Sequence, residues 1–101
     1  MPVAMLLDTP EGSQDMYEAL TTKIFGSLQP DVLPDGLIAH IAGPRDEGGW
    51  RVVDIWESTD AFWQFFDAKL LPAARELGQD PTEARPTFFA VHNMIGLGMP
   101  A

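Results

Sequence analysis

The alternation and helical spacing of apolar residues divide the chain into six short elements. An apolar run at residues 3–7 predicts a buried strand, which ends at the turn residues that follow it. A helix is predicted next, with Ser13 as its N-cap and Asp15 in its first turn, where the helix dipole favours negative charge. Gly26 and Pro30 set the end of this helix between them. Its apolar face consists of Met16, Tyr17, Leu20, Ile24 and Leu28.

Two further apolar runs, at residues 37–43 and 50–57, flank a glycine-rich turn and predict a β-hairpin. Ser58 can cap a second helix. The apolar face of that helix consists of Phe62, Phe65, Phe66, Leu70, Ala73 and Leu77, with Trp63 at its edge. Pro72 interrupts the pattern and predicts a kink or a break. Residues 87–95 are predicted to form the last strand.

This order of elements, β-α-β-β-α-β, predicts an α+β fold of the ferredoxin-like type. Its four-stranded antiparallel sheet carries two helices on one face. A chain of 101 residues is one domain, expected to span residues 1–101.

The apolar residues of the hairpin also predict its register. If Ala42 pairs with Val52, then His40 faces Asp54 across the two strands. One sheet face then consists of Ala39, Ile41, Val53 and Ile55, and the other of Ile38, His40, Asp54 and Trp56. Both faces are too apolar to be exposed to water, and the helices cover only one of them. We therefore expect the uncovered face to stack on that of a second copy in a homodimer.

Composition and charge exclude several classes of function. Fifteen acidic and six basic residues give a net charge of −9, which disfavours nucleic acid and anionic membranes as partners. The absence of cysteine excludes disulfide scaffolds, zinc fingers, iron–sulfur clusters and thiol catalysis. Without a long apolar run or the features of a signal peptide, the expectation is a soluble cytoplasmic domain.

The segment Trp50-Arg51-Val52-Val53-Asp54-Ile55-Trp56-Glu57-Ser58, followed by Ala61-Phe62, resembles the dimeric α+β barrel superfamily. Within it, the antibiotic biosynthesis monooxygenase-like proteins are the most similar. A strand ending in an aromatic residue, a Ser or Asp cap and an Ala-Phe or Ala-Leu pair recur there, and Gly36-Leu37-Ile38-Ala39-His40 fits the same pattern.

The resemblance implies a homodimer whose two sheets form a shared barrel, with a small-molecule pocket between each sheet and its own helices. Members include cofactor-independent quinol and anthrone oxygenases, haem-degrading oxygenases, muconolactone isomerases and polyketide cyclases. Many of the oxygenases carry a histidine in the second helix, about where Phe65 stands, and haem-degrading members use a histidine of that helix to bind iron. No residue at positions 59–77 is a histidine, which disfavours haem degradation.

His40 is the leading candidate for catalysis, because an imidazole facing a carboxylate is an oriented base. Asp54 is placed to be that carboxylate and to select the tautomer of the ring. The alternative is a structural pair, in which His40 fills space and satisfies a buried Asp54.

The candidate substrate-binding residues are Tyr17, Trp56, Trp63, Phe66 and His92. The aromatic side chains among them suit a pocket for a flat ligand, although such residues also pack cores. For His92 the alternative is a hydrogen bond within a dimer interface. Arg51 is expected to form a surface salt bridge, and Arg45 to lie in a solvated hairpin tip. No motif or spacing indicates a metal site or a cofactor.

Together these features favour a small cofactor-independent enzyme, monooxygenase-like or else an isomerase or cyclase, that acts on an aromatic or polyketide-like molecule. Such chemistry needs a dry pocket, a base and donors for an oxyanion. The alternatives are a dimeric module that binds a small hydrophobic ligand without catalysis, and a barrel dimer without activity.

Overall fold

The computed structural model describes residues 1–96, without the side chain at position 83, and confirms the predicted order of the main elements. The elements are β1 (Val3–Thr9), α1 (Gln14–Phe25), β2 (Leu37–Pro44), β3 (Trp50–Trp56), α2 (Thr59–Phe65), a π-turn (Phe66–Leu70), α3 (Leu71–Glu76), a 3₁₀ turn (Pro81–Glu83) and β4 (Thr87–Ala90). The strands form one antiparallel sheet in the order β2-β3-β1-β4, which is the ferredoxin-like arrangement.

The core lies between one face of this sheet and the segment from α2 to α3. Its buried cluster consists of Met5, Trp56, Phe62 and Phe66. Partly buried residues that pack on it include Val3, Leu7, Leu37, Val52 and Phe88 from the strands. Because side chains alternate along a strand, the intervening residues point away from the helices. We call that second surface the outer face.

The hairpin has the predicted register at its centre. His40 pairs with Asp54 and Ala42 pairs with Val52. The prediction is wrong at the start of β2, where an irregularity between Leu37 and Ala39 shifts the register. Leu37 therefore lies opposite Trp56 in place of Ile38, because a bulge inserts an unpaired residue into one strand.

Local chemistry explains the helix boundaries. The Ser13 hydroxyl accepts from the Met16 N–H at 3.2 Å, and α1 ends at Gly26, whose φ of 78° is left-handed. The Ser58 hydroxyl caps α2 in the same way. Gly36 has a φ of 88°, and a Cβ there would lie 2.6 Å from the Cβ of Ala61, so only glycine fits.

The second helix is interrupted before Pro72, as predicted. The Leu71 N–H donates to the Phe66 carbonyl five residues earlier, which is the bond of a π-turn. Pro72 has no N–H for the carbonyl of Ala68, and its ring would crowd that carbonyl in a regular α-helix. The wider turn accommodates the ring, and α3 follows.

The last strand is shorter than predicted, because β4 ends at Ala90. Val3 pairs with Ala90, and the Val91 N–H donates to the Pro2 carbonyl at 2.9 Å. β1 begins at Val3, so the residues after Val91 have no strand beside them and leave the sheet, contrary to the prediction of a strand over residues 87–95. Residues 97–101 of the predicted tail lie outside the described residues.

The first helix lies at the periphery of the core. None of the residues of α1 is fully buried. Tyr17, Leu20 and Ile24 are half-buried, as expected for its apolar face, whereas Met16 and the more distant Leu28 are exposed. This helix therefore covers the β2 side of the sheet more loosely than α2 covers the centre.

Candidate active site

His40 and Asp54 form a hydrogen-bonded pair on the helix-covered face of the sheet. Nδ1 of His40 lies 2.6 Å from Oδ1 of Asp54, as their cross-strand positions require. The Asp54 side chain is only 8% exposed, whereas that of His40 is 35% exposed. The pair therefore places a buried carboxylate behind an accessible imidazole.

Trp56 completes the surroundings of the carboxylate. Its indole N–H donates to Oδ2 of Asp54 at 3.0 Å, because residues 54 and 56 share a face of β3. An indole N–H can only donate, so Oδ2 of Asp54 accepts from Trp56. Oδ1 is then the oxygen that accepts from the imidazole of His40. Because a carboxylate oxygen can only accept, a neutral His40 must carry its proton on Nδ1, which lies against Oδ1. Nε2 is then the basic nitrogen of the ring.

Tyr17 contacts that basic nitrogen. Its hydroxyl oxygen lies 2.5 Å from Nε2 of His40, and the two rings are nearly parallel, with centroids 5.9 Å apart. Burial raises the pKa of the Tyr17 phenol above its usual value; a hydrogen bond with Thr21 opposes the rise and the charge of Asp54 adds to it. Tyr17 is therefore a neutral donor, and its O–H donates to Nε2.

The ring of Trp50 lies beside that of Tyr17, with centroids 5.3 Å apart. Its indole N–H is buried and has no acceptor among the residues that the structure describes. Neither this donor nor the Tyr17 to His40 contact was predicted from the sequence. The helical spacing placed Tyr17 on the sheet-facing side of its helix, but nothing in it indicated which strand residue the ring would meet.

The structure places the other predicted binding residues in the core or at its edge. Trp56 is 1% exposed, Phe66 is also buried, and Trp63 is 39% exposed. The Trp63 ring packs edge-on against Phe62 and Phe66. These three residues therefore belong to the packing between α2 and the sheet, and contact with a ligand stays a prediction for each.

His92 is not brought to His40. It follows β4, at the edge of the sheet opposite to β2, and its side chain is exposed. Three strand spacings of about 4.8 Å separate the two edges. A role for His92 in a pocket therefore stays a prediction that the position of His40 does not support.

Charged residues of the hairpin form a separate cluster near its turn. Arg51 donates from Nε and Nη2 to the two carboxylate oxygens of Asp8, at 2.6 and 2.9 Å. This is the salt bridge expected for Arg51, and it lowers the pKa of Asp8. The expectation of a solvated Arg45 is wrong, because its side chain folds back onto the Gly48 carbonyl and Glu47.

Two shallow concavities are open on the surface, with volumes of about 250 and 280 Å³. The first lies at the end of the hairpin beside Ile41 and Val53, and the second lies between α1 and α3. Neither is lined by His40. Within residues 1–96, no three histidine, aspartate or glutamate side chains come together as metal ligands would. No helix in the same range is long and apolar enough to cross a membrane.

Comparison with known proteins identifies the fold. No protein-family model matches the sequence, and neither does any curated protein. Among solved structures, SnoaB, a cofactor-independent oxygenase from Streptomyces nogalater, is 19% identical, with a TM-score of 0.56 over 93% of this chain and 96% of that one. A variant of SnoaB with one substitution is 16% identical, with a TM-score of 0.57 over 93% and 95% of the chains.

A candidate antibiotic biosynthesis monooxygenase from Deinococcus radiodurans is 12% identical, with a TM-score of 0.51 over 96% of this chain and 98% of that one. At such identities the similarity is one of fold, and it does not transfer an activity. This chain therefore has the fold of the antibiotic biosynthesis monooxygenase-like proteins, as the resemblance of its sequence predicted.

Proposed function

We propose that this chain is a small cofactor-independent enzyme of the monooxygenase type, acting on an aromatic or polyketide-like molecule. The observation that carries the proposal is the bond between His40 and Asp54, in which a buried carboxylate holds an accessible imidazole with Nε2 as its basic atom. The fold that it shares with a cofactor-independent oxygenase supports the same class of chemistry.

The chemistry requires one proton transfer from the protein. His40 accepts an acidic proton of the substrate, and Asp54 stabilises the imidazolium that forms. The resulting electron-rich anion reacts with dioxygen. For an anthrone, the ring methylene becomes a carbonyl, one oxygen atom enters the product and the other leaves as water.

Oxygen uptake with anthrone and with a naphthoquinol tests the proposal, with chromatography of the products. We expect His40→Ala to lower kcat roughly 10²- to 10⁴-fold, as loss of a general base does. His40→Asn is the matched variant, because its amide N–H can take the place of Nδ1 toward Asp54 while it lacks Nε2. If kcat falls equally in both variants, the loss is due to the missing base and not to an unpaired Asp54.

Two results contradict the proposal. If the wild type consumes no oxygen and leaves both compounds unchanged, the enzyme hypothesis is wrong for this substrate class; saturable binding without turnover would instead indicate a ligand-binding module. If His40→Asn retains the wild-type rate, an enzyme remains but His40 is a structural residue.

The outer face of the sheet supports a further part of the proposal, a homodimer. The centre of this face consists of Ala4, Leu6, Ala39, Ile41, Val53, Ile55 and Phe89, all apolar, and Asp8, Arg51 and Thr87 lie at its margins. Ile41 is 62% exposed and Phe89 is 68% exposed in the single chain. Because no helix covers these residues, a second copy stacked sheet on sheet would remove them from water.

A further inference from the structure

The basic nitrogen of His40 is already occupied. Nε2 has one lone pair, and the Tyr17 hydroxyl donates to it across 2.5 Å. A substrate can bond to Nε2 only if Tyr17 moves away, or it can bond to Tyr17 itself. The structure distinguishes between these routes by how the Tyr17 ring is held.

Two rings hold Tyr17 in place. It stacks on His40 with an angle of 6° between the ring planes, and it lies against Trp50 on another strand. Displacing Tyr17 would give up both aromatic contacts together with the hydrogen bond. The hydroxyl oxygen, by contrast, keeps a lone pair that can accept a hydrogen bond while its proton stays on His40.

We propose that Tyr17 is the residue that meets the substrate, and that a substrate hydroxyl passes its proton to His40 through the Tyr17 hydroxyl. The inference rests on the proposed function and gives the route by which the proton reaches His40. The substrate O–H bond breaks as its proton binds Tyr17 Oη, while the proton of Tyr17 moves to Nε2. The products are a substrate oxyanion, a neutral Tyr17 and an imidazolium held by Asp54.

After the transfer, Tyr17 donates its new O–H to the oxyanion and accepts from the imidazolium. Trp50 offers a second donor in the same neighbourhood, since its buried N–H has no acceptor among the described residues. Hydrogen-bond donors that point at the substrate oxygen stabilise the negative charge that develops on it. This route selects an aromatic alcohol or an enol, because an ether or a hydrocarbon has no proton for Tyr17.

Binding of 1-naphthol and of 1-methoxynaphthalene, measured by calorimetry, tests the route without turnover. We expect the wild type to prefer the alcohol roughly 10-fold, as one hydrogen bond would give, and Tyr17→Phe to bind both equally. Thr22→Val is the control, because it removes an exposed hydroxyl from α1 and keeps Tyr17 with its hydrogen-bond partners. Failure of the wild type to bind 1-naphthol or to prefer it, or a preference that survives in Tyr17→Phe, would overturn the inference.

Turnover separates this inference from the proposed function. If the wild type oxidises the naphthoquinol, whose hydroxyl can give its proton to Tyr17, Tyr17→Phe should lower kcat roughly 100-fold and change KM less than about 3-fold, since the ring stays and the relay is lost. A Tyr17→Phe enzyme as fast as the wild type overturns the relay and leaves the function of His40 intact. If the wild type consumes no oxygen but prefers the alcohol through Tyr17, the proposed activity fails while Tyr17 stays the residue that meets the ligand.

Discussion

Trp56 donates its indole N–H to Oδ2 of Asp54 at 3.0 Å, although the two residues were expected only to share a face of one strand. The carboxylate of Asp54 consequently accepts from a different donor on each oxygen. This arrangement ties the candidate base to the hydrophobic core, because Trp56 is one of the most buried side chains of the protein. It also determines what each substitution in the site should do.

Asp54→Asn should reverse the tautomer of His40. An asparagine has one acceptor oxygen for the two donors that face Asp54, and satisfying Trp56 turns its NH₂ toward the imidazole. His40 would then accept at Nδ1 and carry its proton on Nε2, so it could not act as a base. We expect kcat to fall roughly 10²- to 10⁴-fold. Nitrogen NMR of the rings reports the tautomer, with His92 as the internal reference, and an unchanged Nδ1–H signal would contradict this prediction.

His40→Ala should destabilise the fold, because Asp54 is buried and would keep only Trp56 as a donor. Loss of one partner of a buried polar group costs about 1–3 kcal/mol in the free energy of unfolding. Urea denaturation measures the change, and His40→Asn should recover most of it. His92→Ala is the control, with an expected effect within about 0.5 kcal/mol because that side chain is exposed. Wild-type stability in His40→Ala would show that water replaces the imidazole.

Tyr17 should ionise above the usual value of 10.0, since burial raises its pKa in the folded protein. It is the only tyrosine of the sequence, so tyrosinate absorbance reports this residue alone. Because the folded state favours the neutral phenol, the stability contribution of Tyr17 is complete below pH 10 and is lost as the pH rises toward the folded-state pKa. Tyr17→Phe should abolish that part of the alkaline decline. A midpoint at or below 10 would contradict the burial of the phenol.

Ile41→Glu should give a monomer if the outer face is the dimer interface. The substitution places a charge at the centre of an apolar surface, where burial against a second copy would leave it unpaired. Light scattering at micromolar concentration measures the mass. Val32→Glu is the control, because Val32 is also exposed and apolar but lies in the loop between α1 and β2. A wild-type monomer would remove the homodimer from the proposal.

Asp8 should contribute to stability at mild pH and lose that contribution in acid. Its pKa is lowered chiefly by the hydrogen bonds from Arg51, so the folded state favours the carboxylate above pH 3.8, and the gain disappears as the pH falls through the folded-state pKa. Asp8→Asn should therefore flatten the acid branch of a plot of melting temperature against pH. Asp46→Asn, in the exposed hairpin tip, is the control. Because the pair is partly exposed, added salt should reduce the difference.

The hairpin could be predicted because its information is local. The two runs are joined by a short turn, and a slip of one residue would exchange the faces of every side chain, so only one register keeps Ile41 with Val53 and His40 with Asp54. The helix caps at Ser13 and Ser58 and the break before Pro72 have the same origin, since each depends on the chemistry of a few neighbouring residues.

The prediction failed where the outcome depends on a distant partner. Residues 91–95 were expected to continue the last strand, yet β4 ends at Ala90 because the neighbouring strand β1 begins at Val3, which pairs with Ala90. The bulge near Ile38 likewise depends on how Leu37 fits against Trp56 and the core. A stretch of the chain can have residues that suit a strand, but it joins the sheet only where a neighbouring strand lies beside it.

Local patterns in the chain were enough to predict the element order, the pairing of His40 with Asp54 and the apolar outer face, because each follows from side-chain period, turn chemistry or local pairing. The tertiary structure was needed to show that Tyr17 covers Nε2 of His40 and that the ring of Trp50, whose N–H has no acceptor among the described residues, lies against Tyr17. Tyr17 and His40 are 23 residues apart on different elements. Their contact depends on how α1 lies across the sheet, and helical spacing gives the face of a helix but not its position on the surface that it covers.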